Sequence, residues 1–226
     1  MIGVPVPGVE VKLVPNNDKL EIRVRGPNIT PGYWRQPELT RAAYDEEGFY
    51  MMGDAVAFIE PAEPRKGLFF DGRVAEDFKL SSGTWVSVGP LRAKFIAAGA
   101  PHVQDVVVAG LNRDWLGALV IPNITACREL CPDLSPHALL PEVVNHGAVR
   151  ARLQGVLDNL ARESTGSSTR IVRAIVLDVP PSIDASEITD KGSINQRAML
   201  KNRAEVVEEL YAEKPSARTI VAHAKK

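Results

Sequence analysis

The stretch that most constrains this chain is Gly72-Arg73-Val74-Ala75-Glu76-Asp77, continued by Phe78-Lys79-Leu80-Ser81-Ser82-Gly83-Thr84-Trp85-Val86-Ser87-Val88. It follows the apolar run Leu68-Phe69-Phe70. Its first six residues carry a glycine, an arginine and two acids, and read as a charged joint. Beyond it, two segments alternate apolar and polar residues around Ser82-Gly83, which predicts a short hairpin with a tight turn. A joint in the interior divides the chain into residues 1–71, the joint at 72–77, and residues 78–226.

Before the joint, Val9, Val11 and Leu13 alternate with Glu10 and Lys12. A turn follows at Asn16-Asn17-Asp18, and Leu20, Ile22 and Val24 then alternate with Glu21, Arg23 and Arg25. The pattern predicts a β-hairpin with one buried face. A lone hairpin is marginal, so this part reads as a piece of something larger. A short helix is expected at Pro37-Glu38-Leu39-Thr40-Arg41-Ala42-Ala43, and strands at 55–59 and 68–71.

After the joint, Pro90 stands in the first turn of a helix with Leu91, Phe95 and Ile96 on one side. Strands are expected at 103–109, 116–121 and 171–177, and a short helix at 125–131. Val149, Leu153, Val156, Leu157 and Leu160 recur at i, i+4, i+7, i+8 and i+11, the signature of an amphipathic helix over 145–162. A last helix is expected over 195–211, with Met199, Leu200, Val206, Val207, Leu210 and Tyr211 inward, and a frayed tail from Glu213. A three-stranded sheet plus a hairpin, with flanking helices, makes an α+β domain.

Composition narrows the function classes. The chain is 45% hydrophobic with a formal net charge of −1, and no basic stripe marks a nucleic-acid surface. No apolar run approaches a membrane span and the start lacks a signal-peptide pattern, so a cytoplasmic protein with no membrane partner is expected. Cys127 and Cys131 lie four apart, but the histidines are scattered and no metal site is expected.

The order of several short motifs carries a resemblance. Gly26-Pro27, Gly32-Tyr33-Trp34, Pro37-Glu38-Leu39-Thr40, Gly48-Phe49-Tyr50 and Gly53-Asp54 precede the joint. The joint and hairpin follow, and Thr189-Asp190-Lys191-Gly192-Ser193 comes near the end. Together they resemble the carboxyl-terminal portion of acyl-adenylate-forming enzymes, the family of acyl-CoA synthetases, luciferases and peptide-synthetase adenylation domains. The wording of residues 74–92 is most similar to the feruloyl-CoA synthase branch.

The resemblance implies an acid–CoA ligase working through an acyl-AMP, with ATP, CoA and Mg2+ used by the complete enzyme and a small aromatic acid as substrate. Residues 1–71 would end the large adenylation domain, and residues 78–226 would be its mobile lid. Asp54 and Arg73 take the positions that hold the ribose. Ser82 and Gly83 take those of the turn lining the pantetheine tunnel. Ala75 and Glu76 take those of the hinge, where Ala75 departs from the usual charged residue. The family's adenylation lysine follows a glycine; here Ser193 follows Gly192 and Lys191 precedes it, so Lys191 is the candidate cation.

The family's phosphate loop, magnesium element and acid pocket are missing from this sequence. The chain alone is therefore expected to be inactive, to bind no cofactor by itself, and to need the N-terminal adenylation domain in cis or in trans. Two alternatives stand beside this: a non-catalytic lid or interaction domain serving a separate chain, and an adenylation enzyme with another thiol acceptor.

Overall fold

The computed structural model describes residues 1–16 and 19–223, so the turn expected at Asn16-Asn17-Asp18 lies partly outside the described residues. The chain forms two compact units, Met1–Asp77 and Phe78–Lys226.

In the first unit, strands β1 (Glu10–Asn16) and β2 (Lys19–Arg25) form the expected hairpin. A short helix α1 (Pro37–Ala42) precedes β3 (Tyr50–Phe58) and β4 (Leu68–Arg73). The sheet is antiparallel throughout, in the order β1-β2-β3-β4. Ile22, Val24, Val56 and Leu68 form its small apolar cluster. β3 begins five residues earlier than the alternation at 55–59 suggests. Tyr50 and Met51 pair with Val24 and Arg23, and irregular register takes up the residues around Gly53.

The hairpin was expected to bury one face, but its charged face is covered as well. Lys19 and Glu21 are 8% and 7% exposed. Opposite charges make that burial tolerable, and Lys19 stands 2.8 Å from Asp77 Oδ2. Asp45 receives Lys12 at 2.7 Å and Arg23 at 3.2 Å, and Glu21 lies 3.0 Å from Arg23. The Lys12 ammonium, reinforced by the backbone N–H of Phe49 and by Arg23, holds the Asp45 carboxyl well below the usual range.

In the second unit, β5 (Phe78–Lys79) and β6 (Trp85–Val86) make the short hairpin, and α2 (Val88–Gly99) follows. Next come β7 (Val103–Ala109), β8 (Leu116–Pro122), α3 (Ile124–Glu129), α4 (Leu140–Asn145) and α5 (Gly147–Glu163). The unit ends with β9 (Ile171–Val176), α6 (Gln196–Asn202), α7 (Ala204–Tyr211) and β10 (Thr219–Val221). The central sheet runs β10-β9-β8-β7, with β8 and β9 parallel and the other pairs antiparallel. Helices α3 to α5 supply the long crossover that a parallel pair requires.

Both faces of this sheet are buried, so its strands read as continuous apolar runs. Val106, Val108, Ala118, Val120, Ala174 and Val176 share a core with Phe95 and with Val149, Leu153, Val156, Leu157 and Leu160 of α5. Val107, Ala109, Leu119, Ile121 and Ile175 meet Met199 and Leu210 on the opposite face. The architecture is α+β as expected, with two corrections. The tail from Glu213 is not frayed throughout: β10 adds a fourth strand, Thr219 and Ile220 are buried, and the Ala222 N–H donates to Val172 O. The single helix expected over 195–211 is two, broken at Arg203, whose guanidinium is held by Glu187 at 2.8 Å. Among the described residues, no helix is long and apolar enough to cross a membrane.

Candidate functional site

The candidate groups fall in both units. In the first, strand pairing places Asp54 directly across from Arg73. Arg73 Nε lies 3.6 Å from Asp54 Oδ1, an ion pair beyond hydrogen-bond reach. That oxygen is buried and has no hydrogen-bond partner. Burial raises the Asp54 carboxyl above its ordinary value, and Arg73 offsets only part of the rise. The result is a carboxylate fixed on a strand with unused acceptor capacity, beside an exposed guanidinium. Such a pair suits a ligand that donates hydroxyls to the carboxylate and accepts from the arginine.

Gly72 and Arg73, read as the start of the joint, complete β4, and residues 74–76 form a turn in which the Glu76 N–H donates to Arg73 O. Ala75 is exposed and Glu76 half-buried. A residue that the sequence pattern did not single out closes this segment. The Lys19 ammonium donates to Asp71 O at 2.6 Å and stands 2.8 Å from Asp77 Oδ2, with the two side chains 6% and 0% exposed. One buried cation thus ties both ends of the joint to the start of β2. Lysine at an alternating strand position gives no hint of this in sequence, because its partners lie more than fifty residues away.

In the second unit, the hairpin turn holds Ser82 and Gly83, both exposed; Gly83 has φ 81°, a conformation that glycine adopts without strain. Ser82 Oγ and Thr84 Oγ1 are 2.9 Å apart. The hairpin is anchored to the β7–β8 connection, where the Ser81 N–H donates to Arg113 O and the Asn112 N–H to Lys79 O. A Cβ added at Gly83 would meet no atom within 4 Å, so the backbone at the turn tip is bare.

Lys191 lies on a loop with a firm base and an exposed tip. Ile188 and Ile194 form a β-bridge, the Thr189 N–H donates to Ser193 O, and the Gly192 N–H donates to Thr189 O. Gly192, at φ 78°, makes that closure possible. Below the bridge, Glu187 is buried and paired with Arg203, and Gln196 hydrogen-bonds to both Val106 O and the Val108 N–H on the outer edge of β7. The Arg203 guanidinium holds the Glu187 carboxyl below its ordinary value, against the opposing effect of burial. Lys191 and Ser193 are both exposed, and only Lys191 carries charge. Glu187, Gln196 and Arg203 are positioning groups that the sequence does not advertise, since each acts through tertiary pairing.

The two cysteines singled out in the sequence are structural. Cys127 and Cys131 are buried and unpaired as thiols, and burial pushes the Cys127 thiol up to about 11. Among the described residues, no group of three or more His, Cys, Asp or Glu could hold a metal ion. The polar loop at 164–168 connects α5 to β9.

Comparison with known proteins bears on the family of the second unit. Residues 78–215 match the family described as AMP-binding enzyme C-terminal domain. The carboxylic acid reductase of Segniliparus rugosus is 29% identical over 195 residues, covering 85% of this chain and 15% of the reductase. The chloroplastic long-chain-fatty-acid–[acyl-carrier-protein] ligase of Arabidopsis thaliana is 25% identical over 225 residues, covering 93% of this chain and 29% of the ligase. The chain therefore spans well under half the length of these relatives. Among solved structures, the A domain of the Segniliparus rugosus reductase, in complex with AMP and a co-purified carboxylic acid, matches with a TM-score of 0.68 and 27% identity, over 92% of this chain and 32% of that one.

Proposed function

This chain belongs to the family of AMP-binding enzyme C-terminal domains, and from that premise we propose that it is the carboxyl-terminal part of an AMP-forming acid–CoA ligase. In the complete enzyme the acid's carboxylate attacks the α-phosphorus of ATP and pyrophosphate leaves. The CoA thiol then displaces AMP to form the thioester. The observation that carries this reading is the Asp54–Arg73 pair, whose carboxylate oxygen is fixed, buried and without a hydrogen-bond donor.

Each candidate has a distinct part. Asp54 accepts from the ribose hydroxyls, Arg73 steadies the same sugar, and together they fix the nucleotide geometry. Lys191 brings positive charge to the approach of two anions. The bare turn at Ser82-Gly83 gives passage to the pantetheine arm, and residues 72–77, including Ala75 and Glu76, let the second unit move between half-reactions. An N-terminal adenylation domain, in cis or in trans, supplies the phosphate loop, the magnesium ligands and the acid pocket. The exposed apolar side chains Met52, Phe69 and Phe70 on β3 and β4 support its presence. The wording of residues 74–92 supports a hydroxycinnamate such as ferulate as the acid.

The test is a chimera in which this chain replaces the corresponding part of a ligase whose adenylation domain is intact. Ferulate-dependent pyrophosphate release, followed by CoA thioester, is expected from the chimera and not from the 226-residue chain alone. Asp54→Asn should weaken AMP binding to the chimera. A chimera that activates other acids but not ferulate overturns the choice of acid, and unchanged AMP affinity in Asp54→Asn overturns the nucleotide site. Lys191→Ala should slow acyl-AMP formation by roughly two to three orders of magnitude, while thioester formation from supplied acyl-AMP survives and Ser193→Ala has little effect. Pyrophosphate exchange near the wild-type rate in Lys191→Ala would move the role to another cation such as Arg197.

A second reading, a carrier-protein thiol as acceptor, draws support from the Arabidopsis thaliana acyl-carrier-protein ligase that aligns with 93% of this chain. Supplying the chimera with CoA and with a phosphopantetheinylated carrier separates the two.

A further inference from the structure

A cleft of about 570 Å3 lies in the second unit at the end of α5, apart from Lys191 and from the hairpin turn. Trp115, Ala161 and Val172 form its apolar wall, and Thr165, Ser167 and Arg170 supply its polar groups. No acidic residue lines it. The loop over 164–170 is held from within. Thr169 Oγ1 accepts from the N–H groups of Thr165 and Gly166 at 3.1 and 3.2 Å, and Ser164 Oγ donates to Ala161 O.

Arg170 stands out from the other arginines of this unit. Arg92, Arg113, Arg203 and Arg218 pair with carboxylates, Arg128, Arg150, Arg152 and Arg173 bond to backbone carbonyls, Arg162 donates to Asn159 Oδ1, and Arg197 has a partner as well. Among the described residues Arg170 has none of these partners, and its Nε is buried without an acceptor. A guanidinium on the wall of a cleft with no acceptor in the chain is available to an acceptor from outside it.

We propose that this cleft binds an organic phosphate monoester. The guanidinium can take two oxygens of the anion side by side, and the Ser167 and Thr165 hydroxyls of the same lining are available to the third, which a carboxylate lacks. The cleft is far larger than a bare phosphate, and its apolar wall fits a hydrophobic or aromatic body attached to that phosphate. This inference does not rest on the acid–CoA ligase reading, and either can fail alone.

The experiment titrates the 226-residue chain with phenyl phosphate, inorganic phosphate and benzoate, following backbone amide shifts by NMR. Phenyl phosphate should bind saturably and shift amides over 164–170, about tenfold more tightly than inorganic phosphate. Benzoate should bind more weakly than phenyl phosphate. Arg170→Met should weaken phenyl phosphate at least tenfold, and Arg170→Lys should keep part of the affinity. Arg170→Lys also serves as the test variant if Arg170→Met fails to fold, and must then bind more weakly than wild type. The proposal is overturned if phenyl phosphate does not saturate, if benzoate binds as well, if the shifts fall outside this loop, or if the variants bind like wild type.

Discussion

In the first unit, β2 turns Ile22 and Val24 to an apolar cluster and Lys19, Glu21 and Arg23 to the other side, where ion pairs satisfy them. In the second, β8 turns Ala118 and Val120 to one apolar core and Leu119 and Ile121 to another. Both strands are buried on two faces, but by different means. Apolar burial is non-directional and tolerates adjustment. A buried charged face is satisfied only in one register, because a slip of one residue would turn Lys19 away from Asp77. The second unit's stability therefore rests on packing. In the first, paired charges hold one arrangement of strands and joint while adding little net stability.

Four tests sharpen or break this contrast. Phe95→Ala, at a side chain 1% exposed in the second unit, should cost about 4 kcal/mol by lost transfer energy and a residual cavity. Urea denaturation of that unit measures it, and a loss below about 1 kcal/mol would mean that its core is not the source of its stability. Lys19→Met should cost the first unit about 3 kcal/mol, because it removes the ammonium paired with the buried Asp77 carboxylate. Adding Asp77→Leu should recover most of that loss. A neutral single variant would show that the charged face is wet and the contrast overstated.

The third test carries the charge argument into the second unit. Arg203 lowers the Glu187 carboxyl in the folded state. The pair's contribution is present above the unfolded glutamate value of about 4.3 and is lost as pH falls through the lower folded value. Glu187→Gln should cost about 2 kcal/mol at neutral pH and flatten this acid-dependent slope. An unchanged slope would assign it to other carboxylates. The smallest effect is expected at Gly83, where an added Cβ meets no atom within 4 Å but φ is 81°. Gly83→Ala should therefore cost only about 1 kcal/mol, as backbone strain, visible as a small shift in the melting midpoint. A larger loss would mean that the turn is packed rather than bare.

Much of the second unit was legible because its signals are periodic. The spacing of Val149 through Leu160 needs only α5's own geometry to be read, and all five side chains are buried. The hairpin around Ser82-Gly83 was legible because turn chemistry is local. The break at Arg203 was not. The local pattern runs through it, and what ends α6 there is a guanidinium drawn to Glu187, sixteen residues away in sequence. β10 was missed for a similar reason. Three residues are too few to show a period, and the segment is ordered by an open edge of β9.

The candidate site divides along the same line. Asp54, Arg73 and Lys191 could be named from the order of short motifs, because the chemistry of a carboxylate, a guanidinium and an ammonium is written in residue type. Their surroundings could not. Antiparallel pairing of β3 with β4 set Asp54 across from Arg73, and burial left its oxygen without a donor. Gln196 and Glu187 became the footing of the Lys191 loop only once β7 and α6 had met. Alternation, turn residues and helical spacing depend on neighbours within a few positions, so the amino-acid sequence alone determined most of the elements, though not β10 or the break at Arg203, and the identity of the charged groups. Which charges face one another, and which polar atoms are left unsatisfied, depends on residues brought together from distant positions, and the tertiary structure decided it.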